Sequence, residues 1–430
     1  MSQKFPNGFL WGASTAAYQV EGGITNDWSQ WEPTVADNLA QTAEKRLKGV
    51  VPNWGAVKHK AQNPDNYISG SAASHYQKFE QDVALMNELS LSAYRFSIEW
   101  ARVQPRADEF DDEVIAHYKR ALSLLRENNI TPLLCLHHFT NPAWIADISG
   151  WHDPRTVAHY LNYVEKITEE LGSLCDIWFT FNEPNAFALS RYLGGGIWPD
   201  WSDATTNPYR MVKAVRNMAK AHKQARSIIK RYNPSAKVGI DHGHIVTKAI
   251  NSNPLSKLIA KVLAYLSNDF FPNMINGHED VLGTHYYVRV DVHVGLSGPA
   301  KWADHHDSDA KTDMGWGIYP RGIYEVTQKL KTKDLPIYIT ENGLADSRDE
   351  LRRQFIHDHL EWLQKSVADG ADVRGYCHWS LLDNFEWSEG FWPQFGLISY
   401  DNQTFERTIK DSARYYAQIT KENKVIPLEG

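Results

Sequence analysis

Asp176-Ile177-Trp178-Phe179-Thr180-Phe181-Asn182-Glu183-Pro184 decides how this chain is read. Its first half is apolar, aromatic and β-branched, as in a strand buried on both faces of a parallel sheet. It then breaks to an Asn, a carboxylate and a proline, so Glu183 is expected at the strand's C-terminal tip. A second stretch repeats the plan. Pro336-Ile337-Tyr338 runs into Ile339-Thr340-Glu341-Asn342-Gly343 and puts Glu341 at another tip. Outward from these two, further short strand candidates cover 9–14, 93–98, 132–138, 237–242, 281–287 and 374–380. Amphipathic stretches separate them. In 75–90, Tyr76, Phe79, Val83, Met86 and Leu89 recur at three- and four-residue steps. The stretches 112–126, 154–171, 208–232, 322–330, 350–367 and 408–420 behave alike, while 255–276 carries the least certain helical pattern.

Eight strands alternating with helices imply a parallel sheet. No Pro/Gly/Ser-rich linker, repeat or low-complexity tract divides the chain. The expectation is an α/β fold, a single (β/α)8 TIM barrel over residues 1–430, with long βα loops over the C-terminal face. A bare barrel needs about 250 residues, and the surplus suits such loops. The stretch 28–70 shows little periodicity and many Asn, Pro and Gly residues. It is expected to be a long loop after the first strand, over the barrel mouth.

The net charge is −7, with Lys and Arg scattered, which argues against nucleic acid and anionic membranes as partners. The three cysteines, Cys135, Cys175 and Cys377, have no CxxC spacing. No metal or redox site and no disulfide framework is expected. No leader pattern precedes Phe9 and no run approaches a membrane span, so a cytoplasmic protein is expected. Oligomeric state is left open. The 16 Trp and 20 Tyr are the unusual count. Their flat faces stack on sugar rings and their N–H and O–H groups supply hydrogen bonds, although they also fill cores.

A closed barrel gathers its strand tips on one face. The tips here are polar: Gln19 and Glu21 after the first strand, Arg95 on the second, His137-His138, Asn182-Glu183, His285-Tyr286-Tyr287, Glu341, and 379–387. Two carboxylates in matching settings suggest an acid and a nucleophile working across one bond. Arg95 is expected to hold either Glu341 or Glu183 and so tune a carboxylate. His137 and His138 are adjacent on a strand, so at most one faces the pocket and a metal pair is not expected. Gln19 could equally cap a helix. The run 381–387 is too apolar for an exposed loop and is expected to pack over the pocket.

These motifs, with Phe9-Leu10-Trp11-Gly12-Ala13-Ser14 at one end and Phe395-Gly396-Leu397 at the other, resemble glycoside hydrolase family 1 nearly end to end. The resemblance implies a retaining β-glucosidase or β-galactosidase with Glu183 as acid/base and Glu341 as nucleophile. It implies that Gln19, His138, Asn182, Trp379, Glu386 and Trp387 hold the nonreducing-end sugar. Tyr287 matches a tyrosine that hydrogen-bonds the nucleophile, and Trp316 a tryptophan lining the aglycone site. Small β-glycosides or oligosaccharides are the implied partners, and no cofactor is implied. Three positions depart from the family pattern: His285 replaces an Asn, Phe139 a Trp, and Gly317 a Glu. His285 titrates near neutrality. Beside the catalytic pair it would disturb the acidic limb of the pH–rate profile, or it only orients Tyr287 or Glu183. The chemistry requires Glu183 to start protonated and Glu341 ionised.

Alternatives are a 6-phospho-β-glycosidase, a transglycosylase, a noncatalytic sugar-binding relative, and a barrel lyase or aldolase. The last would need a strand-end Lys or a Mg²⁺-binding carboxylate cluster. The loop 388–396 holds no Lys or Arg for a phosphate, and Glu386 and Glu389 would repel one.

Overall fold

The computed structural model describes residues 4–192, 207–295, 303–306, 308 and 310–428. Nine strands form the main sheet: β1 Leu10–Ser14, β2 Ala93–Ser97, β3 Thr131–Cys135, β4 Ile177–Asn182, β5 Lys237–Ala249, β6 Leu282–Val292, β7 Ala303–His305, β8 Ile337–Asn342 and β9 Val373–Trp379. Their order is β5-β4-β3-β2-β1-β9-β8-β6, and β6 pairs back onto β5. Eight parallel strands thus close into a TIM barrel, and β7 adds antiparallel to the far end of β6.

Strands in such a barrel are covered on both faces, which is why β2 and β4 are buried at every residue. Leu133, Cys135, Ile177, Phe179 and Val281 pack together from different strands and fill the barrel. Outward-facing residues such as Trp178 join the larger core under the helices. The helix Arg155–Leu171 buries Val157, Tyr160, Val164, Ile167 and Leu171 at helical spacing. Asn207 caps the helix Pro208–Tyr232 by accepting from the Arg210 N–H, with Pro208 in the first turn.

The stretch 28–70 is not a loop. It holds the helix Asp27–Leu47, the helix Trp54–Ala61 and the short 3₁₀ turn Pro64–Tyr67. The long helix does carry a stripe, but a muted one: Trp28, Glu32, Ala36, Ala40, Ala43 and Leu47 are buried at steps of three and four. Alanines and a glutamate on the inner face hide the periodicity that large apolar residues would have shown. The segment 255–276 forms two helices, Pro254–Asn268 and Phe270–Ile275, and Leu255, Leu258, Val262 and Tyr265 of the first face solvent. Residues 407–409 belong to a small hairpin, so the last helix starts later, at Asp411. All three cysteines are free and buried. Among the described residues, no helix is long and apolar enough to cross a membrane.

Register breaks concentrate at the mouth. β4 slips against β5 between Phe179 and Asn182, β6 against β8 between Thr284 and His285, and β8 against β9 between Ile339 and Asn342. Such irregularities re-aim the next side chains, here Asn182, Glu183, His285 and Glu341.

Candidate active site

Arg95 is the hub of the mouth. Its side chain is fully buried, and Nη1 donates to Glu341 Oε1 at 2.5 Å. Nη2 donates to Asn182 Oδ1 at 2.5 Å, and Nε and Nη2 both donate to Asp241 Oδ2, at 3.0 and 2.5 Å. Of the two partners expected from sequence, Arg95 holds Glu341. Asp241 was not expected at all. Its one signal is a carboxylate in the midst of a buried strand, a place that calls for a cation partner.

Glu341 also accepts from the Tyr287 hydroxyl, Oε2 lying 2.8 Å away. Glu183 projects from the end of β4 with φ +42°, a left-handed conformation that a non-glycine residue adopts at a cost of about 1–3 kcal/mol. Opposite it stands Gly243, where any β-carbon would sit against the Glu183 carboxylate. One carboxylate oxygen of Glu183, one of Glu341 and a ring nitrogen of His285 all lie within 4.8 Å of one another. His285 Nδ1 is 2.8 Å from Glu183 Oε1 and 3.4 Å from Glu341 Oε2. These three groups have the spacing of a metal set, but the Arg95 guanidinium already supplies a positive charge to Glu341.

The charge balance is set by these contacts. Burial pushes the Glu183 carboxyl up, but the hydrogen bond and charge of His285 outweigh it and hold Glu183 below the ordinary range. Burial pushes Glu341 up; His285 and Arg95 pull it down without cancelling that rise. His285 feels burial downward, but the Glu341 charge and the contact with Glu183 raise it above an ordinary histidine. These contacts therefore order the two carboxyls opposite to the expectation of a protonated Glu183 and an ionised Glu341. The imidazolium wedged against Glu183 is the reason.

The sugar-binding candidates gather on the adjoining wall. Gln19 Nε2 donates to the Phe385 carbonyl at 2.8 Å and to Glu386 Oε2 at 3.2 Å. The Gln19 side-chain amide oxygen, Oε1, has no partner among the described residues. Glu386 is half-buried, and burial beside Glu341 pushes its carboxyl up to about 8. The His138 ring lies between Trp379 and Trp387, 6.1 Å from each and nearly parallel to both. His137 turns the other way, to Asn141 and Trp151. As expected, 381–387 is packed rather than exposed. Trp28 of the long helix stands 4.7 Å from Trp387.

On the other side of Glu183 a cavity of about 270 Å³ opens between Ala186, Leu189, Ile245, Val288 and Trp316. Trp316 packs edge-on to Tyr287 at 6.2 Å. Gly317 leaves no room for a side chain, because a β-carbon there would collide with the His306 carbonyl. Arg46, from the helix misread as loop, reaches Glu389 at 3.4 Å and also donates to the Tyr67 hydroxyl and the Leu39 carbonyl. The cation missing from 388–396 thus arrives from elsewhere, already engaged.

The sequence profile of Glycosyl hydrolase family 1 matches residues 1–278 and 272–425. Beta-glucosidase A of Acetivibrio thermocellus is 30% identical, with 97% of this chain and 98% of that protein covered. The structure of a beta-glycosidase from Pyrococcus horikoshii superposes with a TM-score of 0.85 at 32% identity, over 99% of this chain and 97% of that one. A beta-glucosidase from Thermotoga maritima in complex with glucoimidazole gives a TM-score of 0.82 at 26% identity, covering 98% and 99% of the two chains.

Proposed function

The chain belongs to glycosyl hydrolase family 1, and from that premise we propose a retaining β-glycosidase working through a covalent glycosyl-enzyme. Its substrates are terminal nonreducing β-D-glucosyl residues, with β-D-galactosyl and β-D-fucosyl residues also accepted. The observation that carries this reading is the close approach of Glu183 and Glu341, with oxygens within 4.8 Å. Retaining pairs sit about 5–5.5 Å apart, whereas inverting pairs need about 6.5–9.5 Å to admit a water.

Glu341 is the nucleophile. Arg95 and Tyr287 aim donors at it, and both contacts are strongest to the anion. Its carboxylate oxygen bonds to the anomeric carbon while the bond to the aglycone breaks. That electron pair goes to the aglycone oxygen, which takes a proton from Glu183. In the second half Glu183 accepts a proton from water, the water oxygen bonds to the anomeric carbon, and Glu341 leaves as carboxylate. Asn182, held by Arg95, is suited to the sugar 2-hydroxyl. Glu386, Gln19, His138, Trp379 and Trp387 suit the remaining hydroxyls and the ring face. The cavity at Trp316 receives the aglycone.

The sugar carries no phosphate. Arg46, the cation that reaches the 388–396 loop, is taken by Glu389 and Tyr67. Hydrolysis of p-nitrophenyl β-glucoside followed by NMR should give the β-anomer of glucose first. Release of the α-anomer first would overturn the role of Glu341. In the same series, the β-glucoside and β-galactoside should lie within about 10- to 100-fold in kcat/KM. A faster β-glucoside 6-phosphate would sink the reading of the sugar site.

A further inference from the structure

His285 holds a position from which one ring nitrogen reaches both glutamates. The side chain is enclosed, at 0% exposure, and Nδ1 lies 2.8 Å from Glu183 and 3.4 Å from Glu341. Nε2 has no hydrogen-bond partner among the described residues. The polar engagement of the ring therefore runs through Nδ1, and toward a carboxylate Nδ1 can only donate. The N–H thus hydrogen-bonds Glu183 and faces Glu341 at ion-pair distance. An amide at this position would also donate, but without a charge.

The other ionisable groups around the ring do not compete for its proton. His138 after β3 and His242 and His244 on β5 are all held below an ordinary histidine by burial, His242 at about 4. Arg95 on β2 is committed to Glu341, Asn182 and Asp241. That leaves Glu183 and Glu341, and their charges hold the proton on His285 above the ordinary range.

We propose that His285 is a positioning residue that times Glu183: its charge is divided between both carboxylates in the free site and acts on Glu183 alone once Glu341 is taken up in the ester. The proposal rests on the assignment of Glu183 as acid/base given above. Esterification removes the Glu341 charge, and Arg95 still has Asp241. The imidazolium then has one anion left within 3.4 Å, and that anion is Glu183. Its full pull fixes Glu183 as the carboxylate in the half-reaction that needs a base. In the first half the same pull is divided between the two carboxylates, so it bears less strongly on Glu183.

The test is the pH dependence of kcat for 2,4-dinitrophenyl β-glucoside, whose leaving group makes ester breakdown limiting. The acid limb then reports ionisation of Glu183 in the glycosyl-enzyme. In His285→Asn and His285→Gln, which keep a donor and lose the charge, this limb should move up by about one pH unit, while kcat/KM moves less. An unmoved limb in an enzyme that releases the β-anomer overturns the proposal alone. Release of the α-anomer overturns the assignment of Glu183 and the proposal with it. Should neither variant fold, ¹⁵N NMR of the wild-type enzyme trapped with a 2-deoxy-2-fluoroglucoside decides. A protonated, hydrogen-bonded His285 ring at pH 6 is expected, and a neutral ring there overturns the proposal.

Discussion

Two groups of buried carboxylates flank this barrel mouth, and they are wired differently. In the cluster proposed as catalytic the partners are shared. Arg95 serves Glu341, Asp241 and Asn182, and His285 serves Glu183 and Glu341. In the second group, behind β1 to β3, each acid has mostly its own donors. Glu99 accepts from Asn26 and Thr140, Asp27 from the Asn141 N–H and amide, Glu32 from Tyr18 and Ser69, and Glu21 from Tyr118 and Arg102. Burial pushes all four up, Asp27 and Glu99 to about 7. A buried, perturbed carboxylate is therefore not by itself a catalytic one. Sharing marks the site: when partners are shared, a charge change at one group is felt by the others, and a two-step mechanism uses that. Dedicated partners fasten loops to the barrel.

The comparison is open to attack at several points. The largest effect is expected from Glu341→Ala, which should lower kcat/KM for every substrate by at least about 10⁴-fold. Azide should restore turnover from the vacated face and give the α-glycosyl azide, identified by NMR. Glu183→Ala should cost about 10²–10⁴-fold for poor leaving groups and far less in the glycosylation step of a dinitrophenyl glycoside. The same leaving-group dependence and the same azide product in both variants would mean that the roles are wrongly divided. Asp241→Asn contacts no substrate in this reading, yet it unbalances Arg95. A drop of about 10- to 100-fold in kcat/KM is expected, with a lowered Tm, since breaking a buried pair costs about 3–5 kcal/mol. Full activity there would show that Arg95 needs no anchor beyond Glu341.

The smallest effect on turnover belongs to the second group. Glu99→Gln should leave kcat/KM within about twofold and change stability instead. The carboxyl titrates near 4.3 unfolded and at about 7 folded. Between those values the folded chain binds more proton, so this residue makes stability fall as pH rises. The variant should flatten that fall, with a gain on the order of 1–3 kcal/mol at pH 8 by denaturant unfolding. An unchanged slope would deny that Glu99 is held protonated.

The barrel was legible because its strands announce themselves. Residues 177–182 and 337–341 are apolar runs ending in a polar tip, and burial on both faces leaves them little freedom of composition. The helix over 27–47 was not legible, because a face that packs tightly against a loop and another helix wants Ala36, Ala40 and Ala43, which carry no hydrophobic signal. The strand-tip places of both glutamates could be read from position, and the roles proposed for them rest on the family resemblance. Asp241 was missed because a single acid inside a strand reads as an exception until the arginine opposite it is known. The place of His285 could be guessed and its double contact could not, since that depends on a register slip between β6 and β8.

Barrel closure joins the two ends of the chain. β1 pairs with β9, and Gln19 reaches Glu386 across 367 positions of sequence. A polypeptide leaving the ribosome holds Arg95, Glu183 and Glu341 long before it holds Glu386 and Trp387. A chain made only as far as Glu341 thus has both glutamates and an open sheet, but no wall against which a sugar could rest. Competence should arrive only once β9 and the segment 379–387 have been made, and closure at such separation is intrinsically slow. Unpaired edges of β1 and β8 are exposed meanwhile, and any delay near the end of synthesis lengthens that window.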